Sequence, residues 1–360
     1  MPSDSNSTEK LLAAIAALDV GEVKLMEVCG THTMSIAEAG IRSMLPKSIR
    51  LLSGPGCPVC VTPPQVIDAV LELAMEKDVL LASYGDMLRV PGSRPGDSLL
   101  RRRALGAKVE TVYSPVDAVA LAAEHPEKQV VFLGVGFETT APGTAAVVLT
   151  AREEGLKNFT VWSMLKRVEP ALRALIAMDG FSIDGFLCPG HVGTIIGARG
   201  FRYLAEEYGL PGVVAGFGCD DILLAVFLLL RQIRNGEHRI ENAYPRAVSE
   251  CGNTLALRML AECFENRRDL WRGLGEIPDS GLGLRPELSE FDAEKRFGVR
   301  YGSAETPTVC RCGEVITGRL SPAGCPLFGK ACTPEDPVGP CMVSSEGACA
   351  AAWKYMDIAE

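Results

Sequence analysis

The chain contains 360 residues, of which 47% are hydrophobic and 22% charged, a composition typical of globular proteins with sizeable cores. Its net charge is −9, and its one basic block is the run 101–103, so neither a nucleic-acid nor an anionic-membrane partner is indicated. The longest strongly apolar run, residues 222–230, is much shorter than the roughly 20 residues of a membrane span, and the polar start lacks a signal-peptide core. We therefore expect a cytoplasmic protein of two or three domains.

An amphipathic helix is predicted over residues 8–19, and a regular alternation of strands and helices follows it. Strands are predicted at 23–28, 49–53, 79–83, 109–113, 130–135, 159–163, 183–187 and 212–216. Helices are predicted between them at 34–44, 64–76, 115–124, 142–154, 168–178, 193–208 and 219–234. This alternation predicts an α/β fold, in which parallel sheets are covered by helices.

The strands allow one sheet of eight or two sheets of four. We predict two similar, Rossmann-like α/β domains at 20–126 and 127–238, because the two halves resemble each other. Residues 25–33 (LMEVCGTHT) and 132–140 (FLGVGFETT) both show a strand, a turn and a Thr-rich helix start. Such turns would meet at the carboxyl ends of the strands, where α/β sheets bind ligands.

The pattern changes after about residue 240. Residues 247–272 predict one helix, and residues 273–309, rich in Gly and Pro, predict little regular structure. We predict that residues 239–360 form a loop-rich iron–sulfur domain with helices, joined by the N-terminal helix 8–19. The cysteine content of this segment is the reason.

Thirteen cysteines in a reducing compartment favour metal binding or thiol redox chemistry over a disulfide framework. Cys251 and Cys263, on apolar helix-like stretches, are expected to be core residues. The C-terminal segment holds six others, at Cys310, Cys312, Cys325, Cys332, Cys341 and Cys349. The absence of a C-x₂-C pair there disfavours a zinc ribbon, whereas an Fe–S cluster on four thiolates fits; composition does not say which four.

Residues 27–33 (EVCGTHT) place a thiol, a hydroxyl and an imidazole within four residues, at a predicted strand-to-helix turn. Backbone N–H groups and the helix dipole gather at such a turn and favour the thiolate form of Cys29. Thiolate and imidazole are also ligands that iron, zinc and copper accept, which makes Cys29 and His32 candidate metal ligands. The alternative is a buried cysteine beside a capping threonine.

Residues 54–60 (GPGCPVC) form a C-x-x-C motif between a strand and a helix, which is typical of a redox dithiol. Pro58 and the flanking glycines hold the turn tight, so the sulfurs of Cys57 and Cys60 can reach each other. A structural metal site remains the alternative, although no nearby second pair of ligands supports it.

Three further turns follow predicted strands. They carry Asp86 and Arg89 in residues 84–92, Glu138, Thr139 and Thr140 in residues 136–142, and His191 in residues 188–193. Each can line a cleft or serve as ordinary turn and cap chemistry. None matches a P-loop or the G-x-G-x-x-G fingerprint, so nucleotide binding has little support from motifs.

Together, several motifs resemble those of the HypD family of [NiFe]-hydrogenase maturation proteins. They are EVCGTHT at 27–33, GPGCPVC at 54–60, GDMLRVPG at 85–92, GFETTAP at 136–142 and GPCMVSSEGAC at 339–349. They extend over nearly the whole chain, and their joint occurrence is highly specific, although C-x-x-C alone would not be.

The resemblance implies a [4Fe–4S] cluster on cysteines spaced C-x₁₄-C-x₆-C-x₁₆-C, a pattern that falls on Cys310, Cys325, Cys332 and Cys349. Cys312 and Cys341 would then not be ligands. The resemblance also implies two similar α/β domains plus a cluster domain. It further implies a small partner, HypC, with which the Fe(CN)₂CO unit is assembled from cyanide delivered by HypE.

The family's iron-binding cysteine corresponds to Cys29, with His32 beside it. We expect the Cys29 thiolate to hold a transient Fe(II) that carries cyanide and CO, with His32 either ligating iron or hydrogen-bonding a diatomic ligand. The pair Cys57/Cys60 is expected to relay electrons, and Glu346 to donate a proton or contact the cluster side.

Two other functions remain open. A stand-alone thiol oxidoreductase would use Cys57 and Cys60 on a disulfide substrate without any additional iron. A pure binding platform would dock HypC and HypE and leave the redox chemistry to them. Nucleotide hydrolysis is neither supported nor excluded by the motifs.

Overall fold

The computed structural model describes residues 5–302 and 308–355. The strands are β1 (Val23–Glu27), β2 (Ile49–Ser53), β3 (Val79–Ser83), β4 (Val109–Thr111), β5 (Gln129–Gly136), β6 (Phe159–Leu165), β7 (Gly185–Pro189), β8 (Gly212–Ala215), β9 (Ile240–Asn242), β10 (Phe264–Trp271) and β11 (Gly275–Leu284). All eight predicted strands are confirmed, with ends that differ by a few residues. The remaining three, β9 to β11, were not predicted.

The helices before residue 180 are α1 (Ser5–Ala16), α2 (Gly30–Glu38), α3 (Ile41–Met44), α4 (Pro58–Val61), α5 (Pro64–Leu73), α6 (Leu99–Ala104), α7 (Pro115–Glu124), α8 (Ala141–Glu153) and α9 (Val168–Ile176). The later ones are α10 (Gly190–Ile196), α11 (Tyr203–Glu206), α12 (Cys219–Asn235), α13 (Thr254–Cys263), α14 (Ala293–Arg296), α15 (Cys312–Val315), α16 (Pro340–Val343) and α17 (Ala348–Tyr355). Short 3₁₀ helices cover Gly85–Arg89, Ala198–Phe201 and Pro286–Phe291. No helix in the described ranges combines the length and apolarity needed to cross a bilayer.

Two parallel sheets form the centre of the molecule. The first has the strand order β2-β1-β7-β8-β9, and the second has the order β4-β3-β5-β6. β3 is buried along its whole length and β5 over all but its first residue. Their nearly continuous apolar sequences explain this, because parallel strands are covered on both faces. The predicted α/β class with parallel sheets is confirmed.

The grouping of strands into sheets differs from the prediction. We expected the strands before residue 126 to form one sheet and those after it to form the other. Instead, the chain leaves the first sheet after β2, builds the whole second sheet, and returns at β7. The expected boundary at 126/127 lies between β4 and β5, which share a sheet. Strand periodicity marks where a strand is but not which strand it pairs with, so the pairing was not accessible to it.

The two sheets nevertheless share one plan. β1 lies between β2 and β7, and β5 lies between β6 and β3, with the strand that follows each along the chain pairing directly beside it. The similar segments 25–33 and 132–140 therefore occupy corresponding places, each running from an inner strand into the turn at its carboxyl end. The internal resemblance read from the sequence is thus matched by the sheet topology.

The N-terminal helix belongs with the first sheet. Ile15 of α1 is 1% exposed and lies in the same apolar cluster as β1 and α12. The Thr8 hydroxyl also donates to Asp220 Oδ1 at 2.5 Å, beside the start of α12. The expectation that this helix joins residues 239–360 is corrected, since an amphipathic pattern shows that a face is covered but not by what.

The predicted helix 247–272 is half right. α13 ends at Cys263, and the chain continues directly as β10, which pairs antiparallel with β11. This hairpin packs against β6. The Ser163 hydroxyl of β6 donates to the Leu282 carbonyl at 2.5 Å, and buried Lys166, directly after β6, forms an ion pair with Asp269 at 2.8 Å. A two-stranded hairpin is marginal alone, so these tertiary contacts decide the conformation. The described cysteine-rich residues 308–355 contain only short helices joined by turns.

Candidate functional site

Cys29 lies at the carboxyl edge of the first sheet, between inner strand β1 and helix α2. Its backbone is extended (φ −148°, ψ 123°), and the helix begins immediately after it at Gly30 rather than at the predicted residue 34. The side chain is 7% exposed. Thiol and helix N-terminus are thus in direct succession, as the interpretation of a strand-to-helix turn requires.

The prediction that this turn favours a thiolate is wrong for the protein without a bound cation. Backbone N–H groups of His32 and Thr31 do lower the pKa of the Cys29 thiol, but burial outweighs them and raises it to about 12. The carboxylates of Glu346 and Glu27 raise it further. Cys29 therefore carries its proton at neutral pH, and a cation would have to displace that proton.

Glu27 organises the turn from below, a role that sequence reasoning missed although the residue opens the motif. It is fully buried and accepts hydrogen bonds from the Thr33 hydroxyl at 2.5 Å and the Cys29 N–H at 3.1 Å. Burial raises the pKa of its carboxyl from 4.5 to about 7. The one sequence signal for this role of Glu27 is a glutamate within a predicted apolar strand.

His32 is completely buried on α2, with its ring directed away from solvent. Its Nε2 atom lies 2.9 Å from the Gly216 carbonyl oxygen, and its ring is 4.7 Å from that of Phe217. Burial lowers the pKa of the imidazole to about 4, so the ring is neutral at pH 7. Because a carbonyl only accepts, Nε2 carries the proton, and Nδ1, which has no partner among the described residues, keeps its lone pair.

The loop with the C-x-x-C motif crosses directly over Cys29. The Gly30 N–H donates to the Gly56 carbonyl at 3.1 Å, and the Gly54 N–H donates to the Glu27 carbonyl at 2.7 Å. A Cβ atom added to Gly56 would lie 2.2 Å from the backbone nitrogen of Cys29. Glycine is therefore required at 56 by close backbone approach, and the two motifs form one unit.

Cys57 and Cys60 form a disulfide across α4, with a Cα–Cα distance of 5.2 Å. Both are buried, and the Cys60 N–H donates to Cys57 Sγ at 3.1 Å. The prediction that the two sulfurs can reach each other is confirmed. Redox activity of the pair remains a prediction.

Residues 344–346 bring the C-terminal segment onto this unit. The Thr31 hydroxyl donates to Glu346 Oε1 at 2.6 Å, and Ser344 Oγ lies 3.3 Å from Cys57 Sγ. Burial raises the pKa of the Glu346 carboxyl, so it can hold a proton beside the Cys29 turn. Glu346 is thus placed by the fold next to Cys29, although more than 300 residues separate them in sequence.

The other predicted turns divide into two groups. Asp86 joins the site, since its Oδ2 accepts from the N–H and hydroxyl of Ser345 at 2.8 and 2.7 Å. The His191 ring stacks on the ring of Phe217, with 3.9 Å between the ring centroids, and Phe217 also contacts His32.

Arg89 instead donates to the Pro334 carbonyl. Glu138 accepts the Val168 N–H at 3.0 Å in the second sheet. The Thr140 hydroxyl donates to the Phe137 carbonyl of its own turn at 3.4 Å. None of these three contacts is made with the Cys29 turn.

The six C-terminal cysteines line one cavity, namely Cys310, Cys312, Cys325, Cys332, Cys341 and Cys349. Gly339 leaves room for them, because a Cβ atom there would lie 2.1 Å from Cys310 Sγ. No three Cys, His, Asp or Glu side chains in the described ranges gather tightly enough to hold a single metal ion. A four-iron cluster binds one thiolate per iron, so the donor set fits such a cluster better than a mononuclear site.

The cavity reaches the C-x-x-C motif. Cys312 Sγ lies 2.7 Å from Cys341 Sγ and 3.9 Å from the Cys60 carbonyl oxygen.

Of the two cysteines expected to be core residues, Cys263 is fully buried and Cys251 is exposed, so the expectation for Cys251 is wrong. Cys251 lies in the bend before α13, outside the helix that was predicted to bury it.

Comparison with known proteins agrees with these features. The family model HypD, described as "Hydrogenase formation hypA family", matches residues 6–356. The chain is 46% identical to hydrogenase maturation factor HypD of Rhodobacter capsulatus, over 96% of this chain and 93% of that protein.

Two further relatives carry the same name and show a similar identity. Hydrogenase maturation factor HypD of Rhizobium leguminosarum bv. viciae is 45% identical, over 92% of this chain and 87% of its own length. Hydrogenase maturation factor HypD of Escherichia coli (strain K12) is 43% identical, over 92% of this chain and 89% of its own length. This chain belongs to the HypD family of hydrogenase maturation factors.

Proposed function

We propose that this protein is the scaffold on which the Fe(CN)₂CO unit of [NiFe]-hydrogenase is assembled. It works in complex with a small HypC-type partner and takes cyanide from a HypE-type donor. The single observation that carries the proposal is the hydrogen bonding of the His32 ring, three residues after Cys29. One ring nitrogen donates to the Gly216 carbonyl, which leaves Nδ1 as a buried lone pair.

This orientation supports one of the two expected roles of His32. A ring that donates through Nε2 has no proton on Nδ1, so Nδ1 cannot donate a hydrogen bond to cyanide or CO. It can ligate iron, and a ligating histidine typically donates its other N–H to a carbonyl or carboxylate. We therefore propose Cys29 Sγ and His32 Nδ1 as ligands of the iron substrate, with a HypC thiolate as a further ligand.

Binding of the iron substrate would also change the protonation state of Cys29. A nearby divalent cation favours the thiolate over the thiol, and the released proton needs an acceptor. Two carboxyl groups adjoin the turn, those of Glu27 and Glu346, and both have raised pKa values. We propose Glu346 as the proton carrier, because it is partly exposed to solvent whereas Glu27 is fully buried, and because it is hydrogen-bonded to Thr31.

For the disulfide we propose a redox role in the same reaction. Reduction of Cys57–Cys60 takes up two electrons and two protons and yields two thiols, and re-oxidation returns them. Cys310, Cys325, Cys332 and Cys349 would hold a [4Fe–4S] cluster, whose chemistry when bound is single-electron transfer.

The deciding experiment is an infrared spectrum of the anaerobically purified protein, co-expressed with its HypC-type partner. Bound cyanide and CO absorb where protein does not. We expect both kinds of band, and we expect their loss in Cys29→Ala. Absence of both bands from a protein that binds its partner would contradict the proposal.

A second function, thiol–disulfide exchange without iron, is favoured by one observation, the buried Cys57–Cys60 disulfide. It predicts turnover on a disulfide substrate by protein that lacks the iron substrate. The pure binding platform predicts instead that Cys57→Ser/Cys60→Ser still assembles the cyanide-ligated iron. Infrared spectra of that double variant separate the platform from the redox-active scaffold.

A further inference from the structure

A cavity of about 290 Å³ opens at the amino-terminal edge of the first sheet, where three parts of the chain meet. Lys24 and Arg50 come from β1 and β2, residues 175–183 connect the second sheet back to the first, and residues 317–319 belong to the cysteine-rich segment. Lys24 and Cys29 are five residues apart along an extended strand, which places them about 16 Å apart. The cavity is therefore separate from the Cys29 site.

The cavity is basic although the chain is acidic. Its lining carries the three cations Lys24, Arg50 and Arg319 and one carboxylate, Asp179, which gives it a net positive formal charge in a chain of net charge −9. None of the three cations forms an ion pair with a described residue. Cations that converge on a concave surface without forming ion pairs attract an anion from solution.

Two of these cations are held in place by hydroxyl groups. Lys24 Nζ donates to the Ser182 hydroxyl at 3.0 Å, and Arg319 Nε donates to the Thr317 hydroxyl at 3.1 Å. Each retains further N–H donors, because an ammonium has three and a guanidinium five. Arg50 has no side-chain hydrogen bond to a described residue. The planar guanidinium forks of two arginines suit the bidentate recognition of phosphate.

The lining also includes apolar side chains. Leu175, Met178 and Phe181 line the cavity beside the cations, and Phe181 stacks at 6.4 Å on buried Phe186. A small inorganic anion bound by the cations would leave these apolar side chains without a contact. A ligand with both a phosphate and an apolar or planar body would contact the cations and the apolar side chains together.

We propose that this cavity binds a small organic phosphate, with the phosphate on Lys24, Arg50 and Arg319 and the apolar body on Met178 and Phe181. The ligand would contact the connection between the two sheets and the cysteine-rich segment at once. Binding would therefore stabilise the junction of these parts against their separation. This inference does not depend on the role proposed for Cys29.

The test is isothermal titration calorimetry on the full-length protein at low salt, with phenyl phosphate, inorganic phosphate and phenol as probes. We expect phenyl phosphate to bind more tightly than inorganic phosphate, and phenol to give no binding. Arg50→Gln and Arg319→Gln, made separately, should each weaken phenyl phosphate binding about tenfold or more, because each removes a charge-assisted contact.

The matched control is Arg103→Gln, which removes one exposed arginine that lies outside the cavity and forms no ion pair with a described residue. It should leave the affinity unchanged. The proposal is overturned if neither phosphate binds, if phenol binds as well as phenyl phosphate, or if all three variants bind alike.

Discussion

The corresponding turns of the two sheets show how one plan produces a reactive site in one place and a structural turn in the other. In the aligned segments 25–33 and 132–140, Cys29 corresponds to Gly136 and Thr33 to Thr140. A Cβ atom added to Gly136 would lie 1.6 Å from Thr140 Oγ1. In the second sheet the threonine thus occupies the space that the cysteine side chain takes in the first.

The difference arises from where each threonine hydroxyl finds its acceptor. The Thr33 hydroxyl donates to the buried carboxyl of Glu27, at a position where the second sheet has Gly134. The Thr140 hydroxyl, lacking such a carboxyl, lies 3.4 Å from the Phe137 carbonyl of its own turn. Glu27 therefore holds Thr33 away from the place where the thiol sits. The lesson is that a buried acceptor below the turn opens room for a ligand above it.

The largest effect is expected from removing the thiol itself. Cys29→Ala should abolish retention of the cyanide-ligated iron, because the thiolate ligand is lost and the imidazole of His32 is left as the one proposed ligand from this chain, while the fold persists with a small loss of stability. Iron content and infrared bands of the complex with the partner measure this. A folded variant with full Fe(CN)₂CO content would remove Cys29 from the site.

The next prediction concerns the carboxyl of the second turn. Burial raises the pKa of Glu138 from 4.5 to about 7, so the folded protein binds a proton that the unfolded chain has released between these values. Stability from this group is present below about pH 4.5 and is lost as pH rises through about 7, a change of up to about 3 kcal/mol. Glu138→Gln should remove that component.

The measurement is the free energy of unfolding in urea for both proteins, at several pH values between about 4.5 and 8. The difference between Glu138→Gln and the parent should grow in favour of the variant as pH rises. Two parallel pH profiles would show that Glu138 does not titrate in this range.

A methyl group tests the space at the second turn. Gly136→Ala should lower the free energy of unfolding by about 1–3 kcal/mol, because Thr140 Cβ would lie only 2.9 Å away and rotation of the hydroxyl cannot relieve that contact. The matched control is Gly143→Ala in α8, whose nearest neighbour, Pro115 Cγ, would be at 3.7 Å. That variant should be neutral or more stable by about 0.5–1 kcal/mol.

Urea titrations of both glycine variants supply the comparison. If Gly136→Ala is as stable as Gly143→Ala, the second turn has room for a side chain. The explanation for the difference between the two turns would then fail.

The smallest effect is expected at the contact between the first turn and the C-terminal segment. Thr31→Val removes the hydroxyl that donates to Glu346 Oε1 at 2.6 Å and should cost about 1 kcal/mol of unfolding free energy. The control is Ser43→Ala, because the Ser43 hydroxyl donates to the Gly40 carbonyl of its own turn at an exposed position. Equal stability of the two variants would argue against a stabilising role for this contact.

Much of the architecture is local and was therefore predictable. Apolar runs of five or six residues ending in Gly-rich or polar turns located all eight strands that were predicted, and the spacing of Cys57 and Cys60 indicated that their sulfurs meet. The EVCGTHT motif also located the turn in which Cys29 and His32 lie. These features depend on neighbours within a few residues, which a sequence displays directly.

The sequence by itself thus determined the elements, the class of fold and the residue types at the site. Only the tertiary structure decided that β1 and β2 share a sheet with β7, that α1 packs on α12, and that Glu346 lies beside Thr31. It also decided the protonation of Cys29 and the tautomer of His32. The physical reason is that strand pairing, burial and hydrogen-bond partners arise from contacts distant in sequence, and the free energy of a buried charge depends on all of them together.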